Sequence, residues 1–292
     1  VLRRLATVLE MIKWQHTIFA LPMALASVAL ATRLAPARGA VWWVERVAII
    51  IGACFAARSA AMAYNRWADR DIDASNPRTA QRASVTGEVS SGFTLLFVGV
   101  SCLLFIGFAA LLNRLALALS IPVLLVLLGY SHAKRFTRLS HLWLGVCLGL
   151  APVGAWIAIL GTLESWTPIL LGLSVVVWVA GFDILYALAD IEHDQREGLH
   201  SIPARLGVPG SLDLAALFHT LAFGLLVVLA LTADLGTGFL AGLVAGGVLL
   251  ALEHRLVRPG ELSRLPTAFL TLNGLFSLAI LLGVVSDVLL AR

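Results

Sequence analysis

Asn65, Asp69 and Asp73 recur at four-residue intervals in the stretch Asn65-Arg-Trp-Ala-Asp69-Arg-Asp71-Ile-Asp73. A second acidic group follows far downstream, Asp190-Ile-Glu-His-Asp194, with the same spacing and with Asp183 seven residues before it. On helical backbone, steps of four drift by only about 40°, so each set projects from one face of a continuing helix. These side chains are hard oxygen ligands. They suit Mg²⁺, which takes one or two carboxylates and shares its other positions with water and substrate phosphates. Basic residues gather around both groups: Arg58 two turns before Asn65, then Arg70, Arg78, Arg82, Lys134 and Arg135. Carboxylates with Mg²⁺ and fixed cations make a site for a diphosphate, whose charge the metal alone does not fully offset.

Other readings of the same residues compete. Either motif alone reads as solvated loop charge at a helix end, but the matched spacing, side and depth of the two argue against that for the pair. Asp69-x-Asp71-x-Asp73 imitates the start of an EF-hand loop, yet the required glycine is Ala74 and the twelfth position is Ala80, which excludes it. A CDP-alcohol phosphotransferase motif needs an Asp-Gly and Ala-Arg pair ahead of its aspartates, and the chain has none there. Arg58 has two readings. It snorkels to an interface, or it meets an anionic group inside a cavity, because a charge at that depth needs a partner.

The elements that hold these residues are apolar. The chain has 292 residues, 60% of them hydrophobic and only 13% charged, against about 25% charged in a soluble domain. Its mean hydropathy is +0.93. Apolar runs of bilayer-spanning length, about 20 residues, fall at 15–33, 41–64, 92–112, 115–131, 141–161, 166–189, 211–232, 235–253 and 266–288. The expected fold is all-α, a polytopic bundle of nine transmembrane helices forming a single domain over 1–292. Both acidic motifs close a span, four spans apart, which suggests two four-helix halves plus a ninth helix.

Basic residues decide the orientation. Arg3, Arg4, Lys13, Arg66, Arg70, Arg78, Arg82, Lys134, Arg135, Arg138, Arg196, Arg205, Arg255, Arg258 and Arg264 fall on one side; Arg33, Arg38, Arg46, Arg114 and Arg292 fall on the other. This bias puts the N-terminus and the charged loops in the cytoplasm, with the protein in the inner membrane. It also explains the net charge of +4 without nucleic acid. Cys54, Cys102 and Cys147 lie inside apolar spans as small core residues. Residues 2–14, with Leu5, Val8, Leu9 and Ile12 at helical spacing, are expected as an interfacial helix in preference to a cleaved signal. The eight tryptophans are expected as interface anchors. Asn273 serves either helix packing or cavity lining, and the seven histidines, lacking metal-ligand spacing, stay unassigned. A secondary transporter is the alternative of a different class. It would place ionisable groups near the midplane, whereas these cluster at one face.

The chain resembles the UbiA superfamily of intramembrane prenyltransferases over nearly its full length. The resemblance rests on Asn65-x3-Asp69-x3-Asp73 and on "DILYALADIEHDQREGLHS", with Asp183, Tyr186, Asp190, Asp194, Gly198 and Ser201 in family positions. "NPRTAQR", carrying Arg78 and Arg82, and "YSHAKRF", carrying Tyr130, Lys134 and Arg135, add to it. Asp71 departs from the family, which often has a basic or small residue there, and is either an extra metal contact or a bystander. The resemblance implies a central cavity opening to the cytoplasmic side and laterally to lipid. It implies Mg²⁺ on Asn65, Asp69, Asp73, Asp190 and Asp194. Diphosphate contacts fall to Arg70, Lys134 and Arg135, with Arg78 and Arg82 beside them. Arg58 and Asp183 are candidates for orienting the acceptor, Tyr130 for facing the allylic carbon, and Asp183 or Asp190 for taking the proton. The implied reaction moves a polyprenyl chain from its diphosphate to an aromatic acid of quinone biosynthesis. 4-Hydroxybenzoate is placed ahead of a dihydroxynaphthoate.

Overall fold

The computed structural model describes residues 2–13, 19–258, 265 and 268–290. His16, Arg264, Arg292 and the openings of the spans expected at 15–33 and 266–288 lie outside the described residues. The chain is all-helical in its regular structure: α1 (Leu2–Met11), α2 (Leu21–Ala31), α3 (Ala40–Ala68), α4 (Arg70–Ser75), α5 (Ala83–Thr86), α6 (Ser91–Leu112), α7 (Arg114–Ala133), α8 (Ser140–Leu160), α9 (Trp166–Ala187), α10 (Ile191–Arg196), α11 (Ile202–Thr232), α12 (Thr237–Leu256) and α13 (Asn273–Leu290). A 3₁₀ turn, Leu188–Asp190, links α9 to α10, and a π turn, Ala268–Leu272, opens α13.

Among the described residues, eight helices are long and apolar enough to cross a membrane, and α2 is a shorter apolar helix of 11 residues. Local chemistry sets where several begin. Ser90, Asn113, Ser165 and Ser201 each accept a hydrogen bond from an N–H of the following first turn. This satisfies donors that a helix start leaves open. Gly161, at φ 71°, closes α8 in the left-handed conformation that favours glycine. Helix α11 joins two helical pieces across a break at Gly207, whose φ 66° and ψ −174° are not helical, and the second piece begins close to the expected residue 211.

Long helices carry leucine and valine outward, with Leu103 70% and Leu125 68% exposed, while a buried core joins α2, α8, α9, α11, α12 and α13. Outward apolar surface and an apolar core together fit a lipid-embedded bundle. Trp156 and Trp178 are 2% and 0% exposed. They are core residues, a correction to the expectation that all the tryptophans anchor at an interface. Trp178 Nε1 donates to Asn273 Oδ1 at 2.8 Å, and Asn273 Nδ2 donates to Glu253 Oε1 at 2.6 Å. Asn273 therefore serves packing. Val8 and Ile12 of the N-terminal segment bury against Ala63 and Val98.

Helices α8 and α9 approach most closely at glycines. A Cβ on Gly145 would stand 2.1 Å from the Val176 carbonyl oxygen, and one on Gly149 would stand 2.7 Å from that of Gly172. Only a residue without a side chain allows this separation. The register it sets, 145 against 176 and 149 against 172, runs on to the polar end and brings His141 of α8 beside Asp183 of α9.

Candidate active site

The first motif does not lie on one continuous helix, as its spacing suggested. Helix α3 ends at Ala68, Asp69 leaves helical geometry at φ −95° and ψ 7°, and α4 restarts at Arg70. The bend keeps the i, i+4 link: Asp73 N–H donates to the Asp69 carbonyl at 2.7 Å, and Asn65 Nδ2 donates to Asp69 Oδ2 at 3.0 Å. Asn65, Asp69 and Asp73 thus stay on one side and turn across the mouth of the bundle.

They line a cavity of about 180 Å³ together with Tyr130, Lys134, Asp183, Asp190 and Asp194, and with Arg66, Arg78 and Arg82. Both acidic motifs therefore face one space. The loop after α4 ties them directly. Asn76 Nδ2 donates to Asp190 Oδ1 at 3.0 Å, Arg78 Nε donates to the same oxygen at 2.9 Å, and Arg78 Nη2 pairs with Asp190 Oδ2. Arg78 Nη1 also donates to the Tyr186 hydroxyl at 3.0 Å, with the guanidinium over the Tyr186 ring. Burial alone would lower the pKa of Arg78, but the hydrogen bonds and charge of Asp190 outweigh it and hold the value above that of an ordinary arginine.

Each first-motif carboxylate also has cations. Lys134 Nζ lies 2.8 Å from Asp69 Oδ2, and Arg135 Nη2 lies 3.3 Å from Asp69 Oδ1 while also donating to the Ala68 carbonyl. Arg82 Nη1 meets both oxygens of Asp73 at 2.7 Å. The Lys134 carbonyl accepts from the His200 N–H at 2.8 Å, which fastens the end of α7 to the segment before α11.

Three expected site residues, Arg58, Arg70 and Arg135, stand outside the cavity lining. Arg58 does not line the cavity, although it shares a helix with Asn65. Its Nη2 donates to the Lys13 carbonyl at 3.3 Å, just beyond the end of α1. Arg70 is exposed and donates to Ser91 Oγ at 3.3 Å, since the break at Asp69 resets the helical phase and swings it toward the start of α6. Asp71 is exposed and outside the lining. Arg135 also stands outside the lining and acts on it through Asp69.

Sequence reasoning missed Arg66 and His141. Arg66 lines the cavity with 11% of its side chain exposed. Its Nη1 comes only to 3.8 Å from Asp73 Oδ2, and its Nε is buried without a hydrogen-bond partner. His141 Nδ1 lies 2.7 Å from Asp183 Oδ2. Arg66 had a signal, adjacency to Asn65. His141 had none, because its partner lies 42 residues away.

Residues 20–283 match the UbiA prenyltransferase family. The chain is 34% identical over 231 residues to the 4-hydroxybenzoate octaprenyltransferase of Xanthomonas euvesicatoria pv. vesicatoria, covering 78% of this chain and 74% of that protein. It is 32% identical over 232 residues to the 4-hydroxybenzoate octaprenyltransferase of Alkalilimnicola ehrlichii, covering 79% and 78%. The apo structure of a UbiA homolog from Aeropyrum pernix K1 superposes with TM-score 0.79 at 32% identity, covering 94% of this chain and 98% of that one. A UbiA homolog from Archaeoglobus fulgidus bound to DMAPP and Mg²⁺ shares the fold with TM-score 0.72 at 19% identity, covering 96% and 98%. A polar cavity lined by both acidic motifs, set in an apolar helical bundle, agrees with these likenesses: the chain belongs to the UbiA prenyltransferase family and is a membrane prenyltransferase.

Proposed function

We propose that the protein transfers a polyprenyl group from a polyprenyl diphosphate to an aromatic acid, first of all 4-hydroxybenzoate, with Mg²⁺, in membrane quinone biosynthesis. The observation that carries this reading is the union of the two acidic motifs on one cavity through Asn76, Arg78 and Asp190. The relatives named as 4-hydroxybenzoate octaprenyltransferases support the acceptor. The Archaeoglobus fulgidus homolog bound to DMAPP and Mg²⁺ supports the donor class and the metal. The concentration of charge at one end argues against the transporter reading, and the basic bias of that end supports a cytoplasmic orientation for it.

The donor set fits Mg²⁺. Asn65, Asp69, Asp73, Asp190 and Asp194, all oxygen-bearing side chains, line the cavity. Among the described residues, no three His, Cys, Asp or Glu side chains could hold a metal by themselves. Mg²⁺ bound here would complete its shell with substrate phosphates and water. When bound, Mg²⁺ neutralises charge on the departing diphosphate.

The chain's own residues do the rest. Lys134, Arg66, Arg78 and Arg82 provide fixed positive charge where the diphosphate gathers negative charge, which favours the transition state over the ground state. The bond between the allylic carbon and the diphosphate oxygen breaks, and its electron pair leaves with the diphosphate. Tyr130 faces the carbon that becomes electron-poor and stabilises it by cation–π attraction. Asp190 is committed to Arg78 and Asn76, so Asp183 is the carboxylate that takes the phenol proton of the acceptor. The ring carbon ortho to that oxygen forms the new carbon–carbon bond. Loss of its ring proton to the departing diphosphate restores aromaticity, and Asp183 returns the proton to the phenol oxygen.

Vesicles holding the purified protein, given a polyprenyl diphosphate with 4-hydroxybenzoate or a dihydroxynaphthoate, test this. The expected result is Mg²⁺-dependent diphosphate release in step with a C-prenylated 4-hydroxybenzoate. Preferential prenylation of the naphthoate reassigns the acceptor. Diphosphate release with no prenylated product from either acid overturns the reading.

A further inference from the structure

His141 sits at the first turn of α8 with 5% of its side chain exposed, and it lines the same cavity as Tyr130 and Asp183. Its two ring nitrogens are assigned by their partners. Nε2 accepts from the Ile202 N–H at 3.4 Å, at the first residue of α11. The proton of the neutral ring is therefore on Nδ1, which donates to Asp183 Oδ2 at 2.7 Å. That bond is the hydrogen bond to Asp183 among the described residues, and it leaves Oδ1 for the cavity. The geometry has the form of a carboxylate held by an oriented imidazole, with the imidazole in turn held by a helix N-terminus. Three helices thus converge on one carboxylate: α9 carries it, α8 brings the ring within reach through the Gly145 and Gly149 contacts, and α11 fixes the tautomer.

We propose that His141 is the positioning residue for prenyl transfer: through Nδ1–H it fixes the Asp183 carboxylate by Oδ2 and leaves Oδ1 for the phenol of the acceptor. This rests on the reading of Asp183 as proton acceptor given above. The imidazole does not itself meet substrate. It presents a donor that orients the carboxylate before the phenol arrives, and it keeps that contact once Asp183 gives the proton back. No oxidant or further reactant enters the cycle.

Such a role acts on proton removal and leaves diphosphate binding alone, and this separates it from simple packing. Steady-state kinetics with the full chain in vesicles compare His141→Leu and His141→Asn with the unsubstituted protein. The acceptors are 4-hydroxybenzoate and a ring-fluorinated 4-hydroxybenzoate, whose phenol is more acidic. Loss of an oriented acid–base partner costs about 10²-fold in rate at the low end of the usual range. His141→Leu is expected to lower kcat on 4-hydroxybenzoate by about that factor, with KM for the prenyl diphosphate within about threefold. The deficit is expected to shrink to about tenfold on the fluorinated acid, because a more acidic phenol needs less help from its base. His141→Asn, which keeps an amide N–H in place of Nδ1–H, is expected to recover about tenfold of the loss on 4-hydroxybenzoate. An unchanged kcat in His141→Leu, an equal deficit on both acceptors, or a defect confined to KM for the prenyl diphosphate overturns the proposal. If the unsubstituted protein prenylates neither acid, the reading of Asp183 falls first; if it prenylates both and the variants match it, the role of His141 alone falls.

Discussion

Asn76 Nδ2 lies 3.0 Å from Asp190 Oδ1, joining residues 114 positions apart and closing the loop after the first acidic motif onto the second. Arg78, two residues on, grips the same carboxylate through Nε at 2.9 Å. The motifs are thus held at one site by the protein before any ligand bridges them.

That linkage predicts non-additive mutational behaviour. Asn76→Ala is expected to weaken Mg²⁺-dependent activity by about 10–100-fold, the usual effect of removing a group that orients a metal-binding carboxylate. Asp190→Asn is expected to cost more. Arg78→Gln combined with Asp190→Asn is expected to be little worse than Asp190→Asn alone, since the partners share one interaction. Titration of activity against Mg²⁺ in these variants and in Arg78→Gln alone checks this, and fully additive losses would refute the shared linkage.

Lys134 pairs with Asp69 at 2.8 Å and stands at the cavity wall. A charge-assisted hydrogen bond contributes about 1.5–3 kcal/mol, and about 2 kcal/mol corresponds to some thirtyfold in affinity. Lys134→Met is expected to raise the dissociation constant of the prenyl diphosphate by about that factor. Equilibrium binding of a labelled prenyl diphosphate, with Mg²⁺ held constant, measures it. Binding within twofold of the unsubstituted protein would remove Lys134 from the diphosphate site.

Arg66 makes the opposite demand on stability. A buried guanidinium whose Nε has no partner stabilises the empty fold little. Arg66→Met is therefore expected to leave the melting temperature without substrate unchanged or raised, while prenyl diphosphate binding weakens by about tenfold or more. Thermal unfolding with and without prenyl diphosphate reads both effects. A large drop in the ligand-free melting temperature would show that Arg66 is structural.

The contact between α8 and α9 gives a packing prediction. Gly145→Val has no room beside the Val176 carbonyl, where even a Cβ would stand at 2.1 Å. Overpacking of this kind costs about 1–3 kcal/mol, and the shift it forces also separates His141 from Asp183. Gly154→Ala, on the same helix with nothing within 4 Å of the added Cβ, is the control. It is expected to be neutral or to stabilise by up to about 1 kcal/mol through helix propensity. Melting temperatures in detergent distinguish the two, and equal effects would mean that the α8–α9 separation is not set by glycine.

What the sequence determined by itself follows from two short-range rules. Apolar runs of bilayer length had to become helices, because a backbone without water must satisfy its own hydrogen bonds. Eight of the expected spans accordingly correspond to helices of crossing length among the described residues. Asp69, Asp73, Asp190 and Asp194 were legible because four-residue spacing at a span's end projects oxygen ligands in one direction, and all four line one cavity. Periodicity misled where it was extended too far. Arg58 falls in phase with Asn65 along α3, but it meets the Lys13 carbonyl and stays out of the cavity lining. Arg70, which the family resemblance implied as a diphosphate contact, instead reaches Ser91 beyond the bend after Ala68.

Tertiary structure alone decided the rest, because those features are contacts between residues distant in the chain. No local pattern marks Trp156 and Trp178 as core, since burial depends on which helices stand opposite. His141 is an unremarked histidine until glycine lets α8 close on α9, Asp183 meets Nδ1 and Ile202 meets Nε2. The residue types supplied the charges and ligands. The packing of helices against one another determined which of them share a cavity and which way each one points.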